Sequence, residues 1–257
     1  MHGYDGPIIV SEGTYRANRS TRDYIQAAGQ VGYPEIEDLS GLDYNNGVQP
    51  ALHYIGTDGV RQDTAFRYIH PKIKSGKYPG LNVLVDTQIK RVIFEGKKAC
   101  GVEFRPNPKV QANGALRTVK ARRMVIVSSG ALGTPLILER SGIGNPGILK
   151  KAGIEVVSDL PGVGENYQDH NLITYPYYSS LNEDETLDAL FSGRLDAGEA
   201  IQKNAPILGW NAQDVTGKLR PTDAEVARLG PAFQQNWDEE YKNNTNKPLM
   251  LTALVNW

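Results

Sequence analysis

Cysteine is almost missing from this sequence: one residue, Cys100, in a chain of 257. A single thiol excludes an intrachain disulfide framework and a thiolate metal cluster, and it indicates no redox compartment. An excess of charge of either sign is missing too. Against 28 Lys and Arg stand 29 Asp and Glu, a formal net charge of −1. That balance leaves no electrostatic footprint for nucleic acid or for an anionic membrane. Long apolar runs are also lacking, Met124–Val127 being typical, so no stretch reads as a membrane-spanning helix. The opening residues 1–6 do not read as a signal peptide. There is no GxxxxGK[ST], which excludes a P-loop nucleotidase, and no GxSxG nucleophile elbow. None of the four histidines (His2, His53, His70, His170) has another at i+3 or i+4, so a helical zinc site is not expected.

What remains is the composition of an ordinary soluble globular protein, 40% hydrophobic and 22% charged, long enough for one large or two modest domains. Thr21 is positioned to cap a short helix through Ala28, stopped by Gly29 and by Gly32-Tyr33-Pro34. Residues 34–62, rich in Gly, Asp, Asn and Tyr, read as loop. A second short helix is expected from about Thr64 to Ile69, ending before Pro71. Val, Ile and Phe then concentrate in Leu81–Asp86, Ile89–Glu95 and Ala99–Phe104. Turn residues at 95–98 and at Asn113-Gly114 precede a further strand, Leu116–Lys120. Strands this close in sequence pair antiparallel, so a meander is expected.

Met124–Val127 has a different character, that of a buried strand of the parallel type. The small residues Ser128-Ser129-Gly130 and a helix from Ala131 to Arg140 follow it. Strand, small turn and helix together aim helix N–H groups at an anion or a ribose. Towards the end, Thr222-Asp223-Ala224-Glu225 forms a capping box. Phe233, Trp237 and Tyr241 recur at helical spacing, which favours core packing over a pocket lining. Pro7–Val10 and Pro248–Trp257 place strand-like residues at both ends. Such ends suggest a truncated reading frame, or a terminal strand buried within a sheet.

Several motifs invite functional readings and are better explained otherwise. Gly142-Ile143-Gly144-Asn145-Pro146-Gly147 matches GxGxxG, but a helix precedes it and Pro146-Gly147 prolongs the turn, so it reads as a helix stop. Asp169-His170 could be a charge pair, with structural capping at least as good an account. Asp5, Asp43, Asp58 and Asp63 leave a paired-carboxylate site open, although loop aspartates usually form turns. The sequons at Asn18 and Asn243 carry little weight without a signal peptide.

One stretch is far more specific. Residues 130–144, GALGTPLILERSGIG, closely resemble the second signature of the glucose–methanol–choline (GMC) flavin oxidoreductases. His2 to Pro7 is similar to that family's HGxDGP segment, residues 81–92 to its meander, and Asp159 to His170 to its DLPGVGENLQDH, with Tyr167 in the usual leucine place. All lie in family order. Residues 218–222, Glu225 and residues 246–250 resemble the alcohol (methanol) oxidase branch.

The resemblance implies a mixed α/β fold: part of a Rossmann-type FAD domain with an antiparallel meander, over residues 63–175. Residues 1–62 and 176–257 would supply part of a substrate domain built on an antiparallel sheet. It implies FAD as cofactor, contacted by Ile89 through its backbone and by Ser129, Gly130, Ala131, Gly133 and Thr134. It implies oxidation of short primary alcohols by O₂, giving an aldehyde and hydrogen peroxide. Another GMC dehydrogenase (aryl-alcohol or choline type) and a non-catalytic nucleotide-binding remnant are the alternatives. A homo-oligomer and an intracellular, peroxisomal setting would follow by resemblance alone. The family's glycine fingerprint lies upstream of HGxDGP and its active-site histidine near the C-terminus, so this chain resembles a central fragment. No catalytic residue and no metal ligand is assigned, and the chain alone is expected to be inactive and to hold FAD weakly.

Overall fold

The computed structural model describes residues 2–41 and 43–257. Along the chain run α1 (Asn18–Gln30), β1 (Gly47–Pro50), a π turn (Ala65–Ile69) leading into α2 (His70–Ser75), β2 (Thr87–Glu95), β3 (Lys98–Pro106) and β4 (Arg117–Lys120). Then come α3 (Gly130–Arg140), β5 (Ile143–Gly144), α4 (Pro146–Lys151), β6 (Ser158–Asp159), α5 (Asp188–Phe191) and α6 (Ala197–Gln202). β7 (Gln213–Leu219), α7 (Asp223–Arg228), α8 (Pro231–Glu240) and β8 (Met250–Val255) complete the order. Two compact units result, one of Met1–Pro79 with Tyr177–Trp257 and one of Gly80–Pro176. The latter begins at Gly80 instead of residue 63. The π turn and α2 are tied to the loop before them, where Asp63 Oδ1 accepts the Phe66 N–H at 2.7 Å and Arg67 bonds the buried Gln62.

In the discontinuous unit an antiparallel sheet has the order β1-β7-β8. The central strand β7 approaches both neighbours closely: a Cβ on Gly217 would stand 2.6 Å from Thr252 Cγ2 and 2.9 Å from Val48 Cγ1. Glycine at 217 therefore sets the packing across the sheet. Residues 34–62, expected as loop, contain the buried strand β1, and the expected terminal strand is β8, at the sheet's edge with Met250 and Leu251 exposed. Ala17, Ile207, Trp210 and Ala212 form a core cluster, with Tyr15 packed edge-on against Trp210 at 5.2 Å between ring centroids. Trp237 is buried, stacked on Tyr241 and covered by the Arg220 guanidinium, in keeping with the core use its spacing suggests. The capping box at Thr222 and Glu225 forms as its residues imply.

Two helix boundaries differ from expectation. α1 starts at Asn18, so Thr21 lies inside it, and its hydroxyl donates back to the Ala17 carbonyl at 2.8 Å instead of capping. The Ala17 N–H is met by Asp214 Oδ2 at 3.2 Å, from β7. Helix also continues past Pro71. Proline sits in the first turn of α2, where its missing N–H costs nothing, and the π turn before it absorbs the change of register.

The Gly80–Pro176 unit holds the expected meander, β2-β3-β4, antiparallel throughout, with Gly96 at φ 59° in the first turn. Helix α3 lies against β2. Leu81–Asp86 and Met124–Val127 are not strands. Both are apolar enough, but a ladder needs a neighbour, and neither pairs with another strand among the described residues. Leu81–Asp86 is exposed, Val85 by 74%, and in Met124–Val127 the residues alternate, Ile126 being exposed by 77% while Val125 and Val127 are half-buried. At 142–147, Gly142 (φ 85°) does stop α3, but Pro146 then opens α4, with Asn145 Oδ1 accepting the Gly147 N–H at 2.8 Å. No helix among the described residues is long and apolar enough to cross a membrane.

Candidate cofactor-binding site

The six residues assigned to the cofactor all fall in the Gly80–Pro176 unit, on two packed elements. Ile89 lies half-buried in β2 opposite Phe104, at an irregularity where the register shifts before Arg91. The other five form the entry to α3. Gly130 enters the helix at φ 82°, a conformation that favours glycine, and nothing stands within 4 Å of where its Cβ would be. Ser129 precedes it without capping the helix by its side chain, and Ser129, Gly130 and Ala131 are exposed.

Gly133 and Thr134 have a different role. A Cβ on Gly133 would press on Ser129 Cβ at 3.0 Å, and Thr134 Oγ1 accepts the Ser129 N–H at 3.0 Å. These two hold the turn in shape, whereas 129–131 present it. The first-turn N–H groups of an eleven-residue helix thus reach solvent uncapped, beside residues too small to obstruct a ligand. Such an arrangement fits a phosphate or a ribose hydroxyl, the groups that FAD carries in its adenosine half.

From Ala131 along α3 runs an open groove of about 660 Å³, with Leu132, Pro135, Leu136 and Glu139 on one side and residues 164–168 on the other. Asp169 and His170 lie just beyond it. Asp169 Oδ1 accepts the backbone N–H of His170 at 2.8 Å, and Tyr167 donates its hydroxyl to Oδ2 at 2.9 Å, so the aspartate serves as a local cap. These two bonds hold its carboxyl below the usual range. Two of the four loop aspartates are likewise turn formers: Asp58 accepts the Val60 N–H and Asp63 the Phe66 N–H.

Sequence reasoning missed a buried polar cluster in the discontinuous unit. Asp214, fully buried, accepts from Trp210 Nε1 at 2.7 Å, Asn256 Nδ2 at 2.6 Å and the Ala17 N–H at 3.2 Å. Nearby in the chain's order of bonds, Asn211 Nδ2 donates to His53 Nδ1 at 3.2 Å, which requires a neutral ring, and His53 Nε2 is buried without a partner. Burial first, and the Arg16 charge second, hold the His53 ring below its ordinary value of 6.5. The folded protein therefore binds fewer protons here than the unfolded chain. Stability is full above about pH 6.5 and falls as the pH drops through that value towards the lowered folded one. The urea midpoint followed by tryptophan fluorescence should fall between pH 7.5 and 5.5 by more in wild type than in His53→Gln. Parallel shifts in the two would contradict it.

Residues 1–172 match the GMC oxidoreductase family. Over 261 residues the chain is 35% identical to an alcohol oxidase of Candida boidinii, covering 99% of this chain and 39% of that protein. It is 38% identical over 169 residues to an oxygen-dependent choline dehydrogenase of Pseudomonas putida, covering 66% of this chain and 28% of that protein. Among solved structures, an FAD-dependent oxidoreductase from Chaetomium thermophilum superposes with a TM-score of 0.73 at 24% identity, over 100% of this chain and 48% of that one. The chain thus spans about two-fifths of the length of the curated alcohol oxidases it matches. Matched over two-thirds of its length, a span that contains all four motifs, the chain belongs to the GMC oxidoreductase family.

Proposed function

We propose that this chain is part of an FAD-dependent oxidoreductase acting on the CH–OH group of short primary alcohols, with O₂ as acceptor. The observation that carries the alcohol-oxidase assignment is the extent of the likeness: 35% identity runs along 99% of the chain. Likeness to the choline dehydrogenase is higher in identity but covers 66% of it. The greater extent of the match therefore favours the alcohol branch. Bound FAD would supply the hydride-accepting chemistry for oxidation at the alcohol's carbinol carbon. The part of this chain is to hold it: Ile89 by its backbone, the Ser129–Ala131 amides at the adenosine half, with Gly133 and Thr134 fixing the turn. Residues 80–176 would be the cofactor-side portion and the remainder the substrate-side portion. No residue here is assigned to receive the hydroxyl proton.

Flavin fluorescence is expected to report FAD binding by the purified chain that is lost on gel filtration. In air, with methanol or ethanol, the same sample should give no peroxide above a protein-free control. Alcohol-dependent peroxide would contradict the division of labour, and no FAD binding at any attainable concentration would contradict the cofactor assignment.

A further inference from the structure

The candidate contacts ride on two elements, β2 for Ile89 and α3 with its lead-in for Ser129 to Thr134. One buried hydroxyl joins them. Ser141, at the C-terminal end of α3 and 6% exposed, accepts the Val92 N–H at 2.8 Å and donates to the Ile137 carbonyl at 2.5 Å. Val92 lies in the middle of β2, between the two irregularities in its pairing with β3, at Ile89/Arg91 and Ile93/Phe94. Because β2 is the edge of its sheet, an outward N–H there has no ladder partner. A serine at a helix end commonly bonds back to its own turn. Ser141 does so and takes a strand N–H as well, using both its donor and its acceptor capacity. Apolar contacts between a helix and a strand tolerate sliding, whereas a directional bond between buried groups does not.

We propose that Ser141 is a positioning residue for the cofactor: its bridging hydroxyl holds β2 and α3 in the register at which Ile89 and the Ser129–Thr134 turn face one ligand. This rests on the FAD assignment above. The test measures FAD affinity by flavin fluorescence, with a thermal midpoint for each protein, in wild type, Ser141→Ala, Ser141→Thr and Val226→Ala. Val226 is fully buried in the other unit and serves as a purely structural control. Ser141→Ala should weaken FAD binding about tenfold, the equivalent of one lost hydrogen bond. Ser141→Thr should restore most of the affinity, while Val226→Ala lowers the midpoint and leaves affinity unchanged. Equal affinity losses in Ser141→Ala and Val226→Ala, or no rescue by threonine, would overturn the proposal. Should wild type bind no FAD, it is the cofactor assignment that fails, and positioning is then read from the ¹H–¹⁵N spectrum. Ser141→Ala must shift the amides of both Ile89 and Gly130; changes confined to Val92 and Ser141 would refute it.

Discussion

Asp214→Ala is expected to lower the stability of the unit formed by Met1–Pro79 and Tyr177–Trp257 by about 4 kcal/mol, a large part of what a domain commonly has. The carboxylate is fully buried and takes three donors from three places: the Ala17 N–H at the head of α1, the Trp210 indole, and Asn256 just after β8. Removing it strands the Ala17 and Trp210 N–H groups away from water and leaves Asn256 Nδ2 only its bond to Ser20 Oγ; a donor left unpaired costs about 1–3 kcal/mol. Asp214→Asn keeps the shape and one acceptor, so it should cost about half as much. All three tryptophans, 210, 237 and 257, lie in this unit, so urea titration followed by their fluorescence reads it directly. Equal midpoints for wild type and Asp214→Ala would show that the three bonds add little.

Gly142→Ala should be nearly as damaging to the Gly80–Pro176 unit. Gly142 adopts φ 85°, and a Cβ there would meet the Glu155 carbonyl oxygen, Val157 Cγ2 at 2.8 Å and Val157 N at 3.1 Å. Left-handed backbone alone costs a non-glycine residue about 1–2 kcal/mol. The collision with backbone adds to it, for a total of about 3–4 kcal/mol. Relief would require moving the chain that donates Val157 and Ser158 N–H groups to the Gly142 carbonyl, and with it the β5–β6 pairing. Gly153 provides the internal comparison, since it has φ 70° but open space around it. Gly153→Ala should therefore cost about 1 kcal/mol, the conformational part only. Amide exchange across residues 80–176 measures both. Similar losses in the two variants would mean that the close approach at Gly142 does not matter.

How far these features could be read from sequence depended on the range of the interactions that make them. The meander was legible because its signals are local: β-branched runs separated by Gly96 and by Asn113-Gly114. Helix α3 was legible for the same reason. Leu81–Asp86 and Met124–Val127 show where composition stops short. Their residues suit strands, but a strand is made by its neighbour, and local sequence carries no record of whether one is there. The reverse holds for β1 and β7. Gly-Val-Gln-Pro and Gln-Asp-Val-Thr-Gly-Lys-Leu have little intrinsic strand preference, and pairing between them and β8 makes them strands. Likewise the Asp214 cluster draws on residues near 17, 210 and 256, and no spacing rule joins those. The turn at 129–134, the candidate cofactor contact, was legible through its motif. Physical separation of its roles, with Gly133 and Thr134 shaping and 129–131 presenting, came only from the geometry.

The most direct measurement is competition for bound FAD. If Ile89 and the Ser129–Thr134 turn hold the adenosine half, ADP should displace FAD from the purified chain, and FMN, which lacks adenosine, should not. Displacement by FMN but not by ADP, or no FAD binding to displace, would contradict the central claim.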